Sequence, residues 1–182
     1  MRKPKSTQET IPNLDLRNDM SISSIETFVV DLSTVADPDP LPVRTYEATV
    51  TEISINLSKN SGKPTLKALY FISPDQYPVD FDADNAPDGV TMANYSSANC
   101  GTPPEAKQPT KLGLARYRRL FETHGLPIPR LALDPREDLG GAWAPTADTL
   151  SVFIGSRVLV SVVHEAYEGR MQAKIGSVAP ID

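Results

Sequence analysis

The chain contains one cysteine, one tryptophan and two histidines in 182 residues. A lone Cys100 excludes an intramolecular disulfide and fits a reducing compartment. His124 and His164 have no cysteine at ligand spacing, so a zinc site is not expected and both read as structural. No glycine-rich phosphate loop ending in Lys-Ser/Thr occurs, and no Gly-x-Ser-x-Gly elbow. No run approaches the roughly 20 apolar residues that span a bilayer. The basic start MRKPKSTQET has no apolar core behind it, so no secretory signal is expected. Catalysis is not expected from this inventory, and neither is a bound cofactor or a membrane partner.

Proline is abundant instead, at 17 residues. That favours ordered loops and stiff connections over a helical bundle. The formal net charge is −5, which taken alone argues against a partner rich in phosphate. The charge is segregated, however. Residues 43–73 hold four cations against two carboxylates, and residues 109–133 hold five against one. Residues 74–108 hold one cation against six carboxylates. A local basic surface counts for more than the total, because screening limits its reach to about 10 Å.

Residues 1–42 read as an N-terminal extension and 43–182 as the folded domain. Residues 1–20 read as a flexible arm. Residues 21–35 carry Ile22, Ile25, Phe28, Val29, Val30 and Leu32, which fit a short amphipathic helix or an edge strand that docks on the domain or joins subunits. Asp37-Pro38-Asp39-Pro40-Leu41-Pro42 breaks any regular structure.

Val43–Asn56 reads as a long strand. Tyr46, Ala48 and Val50 share one face, then Ile53 and Ile55 shift parity, which implies a bulge near Thr51-Glu52. After a turn through Lys59 and Lys63, Thr65–Ser73 is a second strand. It has Leu66, Ala68, Tyr70 and Ile72 inward and Lys67, Leu69 and Phe71 outward. Gly89–Tyr95 is a third strand, with Val90 and Met92 on one side. Thr110 caps a helix with the stripe Leu114, Tyr117, Leu120, Phe121 and His124, closed by Gly125. Residues 126–150 read as irregular. Val152–Ala166 is a strand, Tyr167-Glu168-Gly169-Arg170 a tight turn, and Met171, Ala173 and Ile175 alternate in a last strand. The order strand, strand, strand, helix, strand, strand predicts a mainly β, OB-fold-like five-stranded Greek-key barrel, with the helix between the third and fourth strands.

Three stretches carry a resemblance. They are Ser61-Gly62-Lys63-Pro64-Thr65-Leu66-Lys67, then Phe153-Ile154-Gly155-Ser156-Arg157-Val158 with its valine run, then Glu165-Ala166-Tyr167-Glu168-Gly169-Arg170. Together they resemble a family of bacteriophage OB-fold single-stranded DNA-binding proteins, over roughly residues 45–73 and 110–178. The resemblance implies a DNA-binding viral protein, acting in the host cytoplasm. It would coat single strands without sequence preference during phage DNA replication, recombination or transcription. The expected partners are single-stranded DNA, phage replication or transcription proteins, and further copies of the chain in a homo-oligomer.

Two departures accompany it. The outward positions after Arg157 are the nearly uncharged Leu159, Ser161 and Val163, where the family alternates valine with lysine. The acidic tip ending in phenylalanine, by which bacterial single-stranded DNA-binding proteins recruit partners, is not present in Ala179-Pro180-Ile181-Asp182.

Binding of this kind needs cations along the phosphates and flat rings under the bases. Lys59, Lys63, Lys67, Arg116, Arg157, Arg170 and Lys174 are the candidate cations. Phe71, Tyr167 and Trp143 are the candidate rings. Phe71 reads equally as packing under the N-terminal segment, Trp143 as a plug, and Arg116 as part of a solvated helix face. The acidic loop opens like a calcium loop at Asp80, Asp82 and Asp84, but Asn85 and Thr91 stand where its glycine and glutamate belong. A mobile solvating loop, or one that occupies the groove until DNA displaces it, are its other readings. The alternative function is a protein–protein adaptor or oligomerisation module that uses the same barrel without DNA.

Overall fold

The structure is a computed structural model that describes residues 36–181 together with Asp31 and Ser33. The expectations for residues 1–30 and most of 31–35 lie outside the described residues. The chain divides into two units, Met1–Ala36 and Asp37–Asp182. All the strands and helices named below belong to the second unit.

Seven strands and two α-helices are described. β1 (Thr45–Leu57), β2 (Pro64–Ile72), β3 (Val90–Ser97), β6 (Arg157–Tyr167) and β7 (Arg170–Pro180) form one antiparallel sheet in the order β3-β2-β1-β6-β7. α1 (Lys111–Thr123) follows β3. β4 (Asp134–Arg136) and β5 (Ala142–Ala144) make a small second sheet, and α2 (Ala147–Leu150) leads towards β6. The protein is therefore mainly β. The end strands β3 and β7 face one another across a cleft, and no pairing among the described residues closes the sheet into a full barrel.

The parity change in β1 is a bulge between Val50 and Glu52. Before it Val50 pairs with Tyr70; after it Ile53 pairs with Ala68 and Ile55 with Leu66. The extra residue thus keeps apolar side chains inward on both arms of a bent strand. At the bend the Val50 backbone turns to a different neighbour. Its N–H donates to the Ser156 carbonyl at 3.0 Å, and its carbonyl accepts from Gly155 at 2.8 Å. Gly155 sits at φ +83°, a region that L side chains rarely adopt.

β6 starts at Arg157, not at Val152. Residues 151–153 form a 3₁₀ turn in which Phe153 is buried, while Val152 and Ile154 are exposed. Residues 126–150, expected to be irregular, hold the β4–β5 hairpin and α2. The β6–β7 turn places Glu168 at φ +50° and Gly169 at φ +80°. That is the backbone twist which suits a two-residue hairpin.

α1 begins as expected, with Thr110 Oγ1 accepting from the Gly113 N–H at 3.2 Å. It ends in a Schellman arrangement: Gly125 N–H donates to Glu122 and Leu126 N–H to Phe121. One stripe position differs from expectation. Leu114 is exposed, and Gly113 faces the core in its place. A Cβ on Gly113 would stand 2.5 Å from Cys100 Sγ and 2.6 Å from its Cα, so only glycine lets the helix approach this closely. Burial raises the Cys100 thiol to about 11, which removes it as a nucleophile at neutral pH.

Phe153 and His124 pack together at the centre, with ring centroids 5.0 Å apart, and Phe121 lies 4.7 Å from Phe153. His124 Nδ1 donates to the Leu120 carbonyl at 2.8 Å, so Nε2 accepts from the Tyr70 hydroxyl at 3.1 Å. Burial lowers the His124 pKa and raises that of Tyr70 to about 12. The neutral pair is favoured. As pH falls below the ordinary imidazole value of about 6.5, the unfolded chain takes up the proton before the folded one. Stability is therefore complete above that value and declines on acidification. The urea midpoint of the native chain should fall between about pH 7.5 and pH 5.5, and that fall should be smaller in His124→Gln.

Residues 37–42, read from sequence as part of the extension, belong to the second unit. Leu41 is buried, its carbonyl accepts from His164 Nε2 at 3.0 Å, and the Pro42 carbonyl accepts from Tyr46 Oη at 2.8 Å. His164 and His124 thus both hold structural hydrogen bonds.

Candidate nucleic-acid interface

The register places the outward side chains of β1, β2 and β3 in rows. One row is Ser54–Lys67–Tyr95, the next Glu52–Leu69–Ala93, and the third Thr49–Phe71–Thr91. Neighbours in a row lie about 4.5–5.5 Å apart at Cβ. Lys67 therefore stands directly beside Tyr95, whose relative exposure is 64%. Tyr95 was not among the sequence candidates. Its signal was available, since Val90 and Met92 point inward and odd-numbered residues of β3 must point out.

The expected aromatics fare differently. Phe71 is outward but half-buried, and its ring packs against the Gly89 backbone at the end of the acidic loop. Trp143 is half-buried in β5 and donates its indole N–H to the Ala106 carbonyl at 2.9 Å. It closes the loop before α1 and is not presented as a flat ring. Tyr167 is exposed at the tip of the β6–β7 hairpin, where it pairs with Arg170.

Four of the seven candidate cations are in exposed or half-exposed ion pairs. Lys67 pairs with Glu52 at 3.4 Å, Arg157 with Glu47, Arg170 with Asp37 at 3.3 Å, and Lys174 with Glu165 at 3.0 Å. Such pairs are worth about 0–1 kcal/mol, so a phosphate can replace the carboxylate at little cost. Lys59 and Lys63 are exposed in the β1–β2 turn and have no ion pair among the described residues. Arg116 donates to Ser97 Oγ at 3.1 Å and to the Asn99 carbonyl at 3.5 Å, with no carboxylate opposite among the described residues. Lys67 pairs with Tyr95, Arg116 reaches Ser97 two residues further along β3, and Lys59 and Lys63 lie in the turn that leads into β2, so all four stand towards the same end of β2 and β3. Arg157 lies at the other end, where Phe71, Asp75 and Gln76 share a shallow hollow with it.

The acidic loop is folded, against the expectation of a mobile one. Tyr77 and Phe81 meet edge to face at 5.0 Å, the Tyr77 hydroxyl donates to the Ala86 carbonyl at 3.0 Å, and Asp82 caps the turn 83–85. Of its carboxylates, Asp75 lies at the Phe71 end of the sheet, in the hollow it shares with Arg157.

Between β3 and the β6–β7 hairpin lies the open cleft, of about 830 Å³. Thr91, Ala93 and Tyr95 form one wall, and Met171, Ala173 and Lys174 belong to the other. No model of a known protein family matches the chain, and no curated protein matches it significantly.

Proposed function

We propose that the chain binds single-stranded DNA without reading its sequence, across the outer face of β1–β3 and into the cleft beside β3. The observation that carries this reading is the exposed ring of Tyr95 beside Lys67, with Lys59 and Lys63, which have no ion pair among the described residues, at the same end. A strand needs cations for its phosphates and a π-face for its bases, and this row offers both together. The sheet order is compatible with an OB-type barrel opened between β3 and β7. In that architecture ligands lie on the strand-two and strand-three face, between the loops that here are the β1–β2 turn and the β6–β7 hairpin. Tyr167, Arg170 and Lys174 then flank the far side of the path.

On this reading the protein is not an enzyme. It coats single strands during phage replication, recombination or transcription in the host cytoplasm, as a homo-oligomer. A second reading, a protein adaptor, draws support from exposed Leu112, Leu114 and Ile128 on and after α1, away from the basic row.

The test is a salt titration of oligo-dT binding by the native chain and by a Lys59→Gln, Lys63→Gln, Lys67→Gln variant. Each neutralised phosphate contact contributes about −0.7 to the slope of log affinity against log salt for single strands. The variant should therefore show a slope shallower by about 2. An unchanged slope would remove these lysines from the interface.

A further inference from the structure

The inward residues of β3 change character along the strand. Val90 and Met92 are apolar, but Asn94 and Ser96 are short and polar, so they do not fill the space between the sheet and α1. What remains is a cavity of about 300 Å³, open to solvent beside Ser97. Ligand pockets run from about 300 to 1,000 Å³, so this one suits a small ligand.

Its walls are of two kinds. Leu66, Leu120 and Val178 give an apolar lining. Deeper in, the Tyr70 hydroxyl donates to His124 Nε2 at 3.1 Å, and Asn94 lines the cavity with them. The Asn94 carboxamide carries two donor hydrogens and an acceptor oxygen, a hydrogen-bonding edge in an otherwise largely apolar lining. At the rim stand Arg116 and Arg119, and no carboxylate among the described residues lines the cavity. On the same helix, Arg118 is paired with Glu122 at 3.0 Å, but Arg119 has no ion pair among the described residues. An occupant should thus be flat and largely apolar, with a hydrogen-bonding edge and an anionic group left outside. Ser97 belongs both to this rim and to the outer face, one row beyond Lys67–Tyr95.

We propose that this cavity binds one nucleotide unit, with its base inserted towards Asn94 and its phosphate held by Arg116 and Arg119. The inference rests on the single-strand reading for its biological source. The same chemistry is offered by a free nucleoside monophosphate, so the two can be separated.

The experiment is calorimetric titration of the full chain with thymidine 5′-monophosphate, thymidine and oligo-dT. The monophosphate should bind saturably and about tenfold tighter than thymidine, since the two arginines add charge-assisted hydrogen bonds. Leu120→Trp should abolish that binding by filling the cavity. Arg119→Glu, on an exposed side chain, should weaken it by at least about tenfold with thermal unfolding unchanged. Oligo-dT binding should weaken in both variants but persist through the outer face. Absence of saturable monophosphate binding, with oligo-dT binding intact, would overturn the cavity proposal and leave the strand reading standing. Monophosphate binding without any oligo-dT binding would support the cavity and overturn the strand reading.

Discussion

Replacing Tyr95 with alanine should weaken oligo-dT binding about five- to 150-fold, corresponding to the ~1–3 kcal/mol that stacking contributes per base. Tyr95 is the largest exposed side chain on the basic end of the sheet, and Lys67 beside it fixes where the phosphate next to a stacked base would lie. Tyr95→Phe keeps the π-face and should bind nearly as well as the native chain. Because the ring is mostly in solvent, Tyr95→Ala should change folding stability by no more than about 0.5 kcal/mol. Fluorescence anisotropy with labelled oligo-dT, beside a urea unfolding curve for each variant, measures both. Phe71→Ala is the contrasting case. Phe71 packs against the loop end at Gly89, so its loss should show in stability as well as in binding.

Phe153→Ala should have the largest effect on stability, a loss of about 3–5 kcal/mol. Phe153 is fully buried in the turn that leads into β6, and its ring touches both Phe121 and His124. Truncation leaves a hole between α1 and the sheet, at the place where the only helix of more than about one turn among the described residues is anchored. It also removes the cover over the Tyr70–His124 hydrogen bond, so water reaches a histidine that burial keeps neutral. Chemical denaturation at about pH 7.5, where both chains hold that histidine neutral, measures the loss without a proton-linked contribution.

The elements that could be read from sequence are those with a period to read. β1 declared its bulge because Tyr46, Ala48 and Val50 alternate before one extra position, and Ile53 and Ile55 after it. β2 declared both faces because Leu66, Ala68, Tyr70 and Ile72 alternate with Lys67, Leu69 and Phe71 without a break. α1 was bounded by a capping threonine and a closing glycine, each with a defined hydrogen bond. The failures have equally specific causes. Val152 and Ile154 continue the alternation of β6 backwards, yet Gly155 takes a left-handed conformation that strand geometry forbids. β4 and β5 span three residues each, too few to show any period. Gly113 faces the core because Cys100 comes so close, and a tertiary approach of that kind leaves no local trace.

The site was legible by parity and not by partnership. Parity puts Lys67 and Phe71 outward, and the same parity, opposite to inward Val90 and Met92, puts Tyr95 outward on β3. Which cations carry a carboxylate neighbour depends on register. Arg157 meets Glu47 only because Thr49 and Arg157 are aligned across β1 and β6, and Lys174 meets Glu165 only through the pairing of the β6–β7 hairpin. The half-burial of Phe71 likewise follows from the packing of a loop whose composition suggested no packing at all.

Single-strand binding is tested most directly by titrating the full chain with labelled oligo-dT and with duplex of equal length, at low and at moderate salt. Oligo-dT binding should weaken as salt rises, with duplex bound much more weakly at both concentrations. Equal binding of duplex and single strand, or no oligo-dT binding even at low salt, would contradict the proposed function.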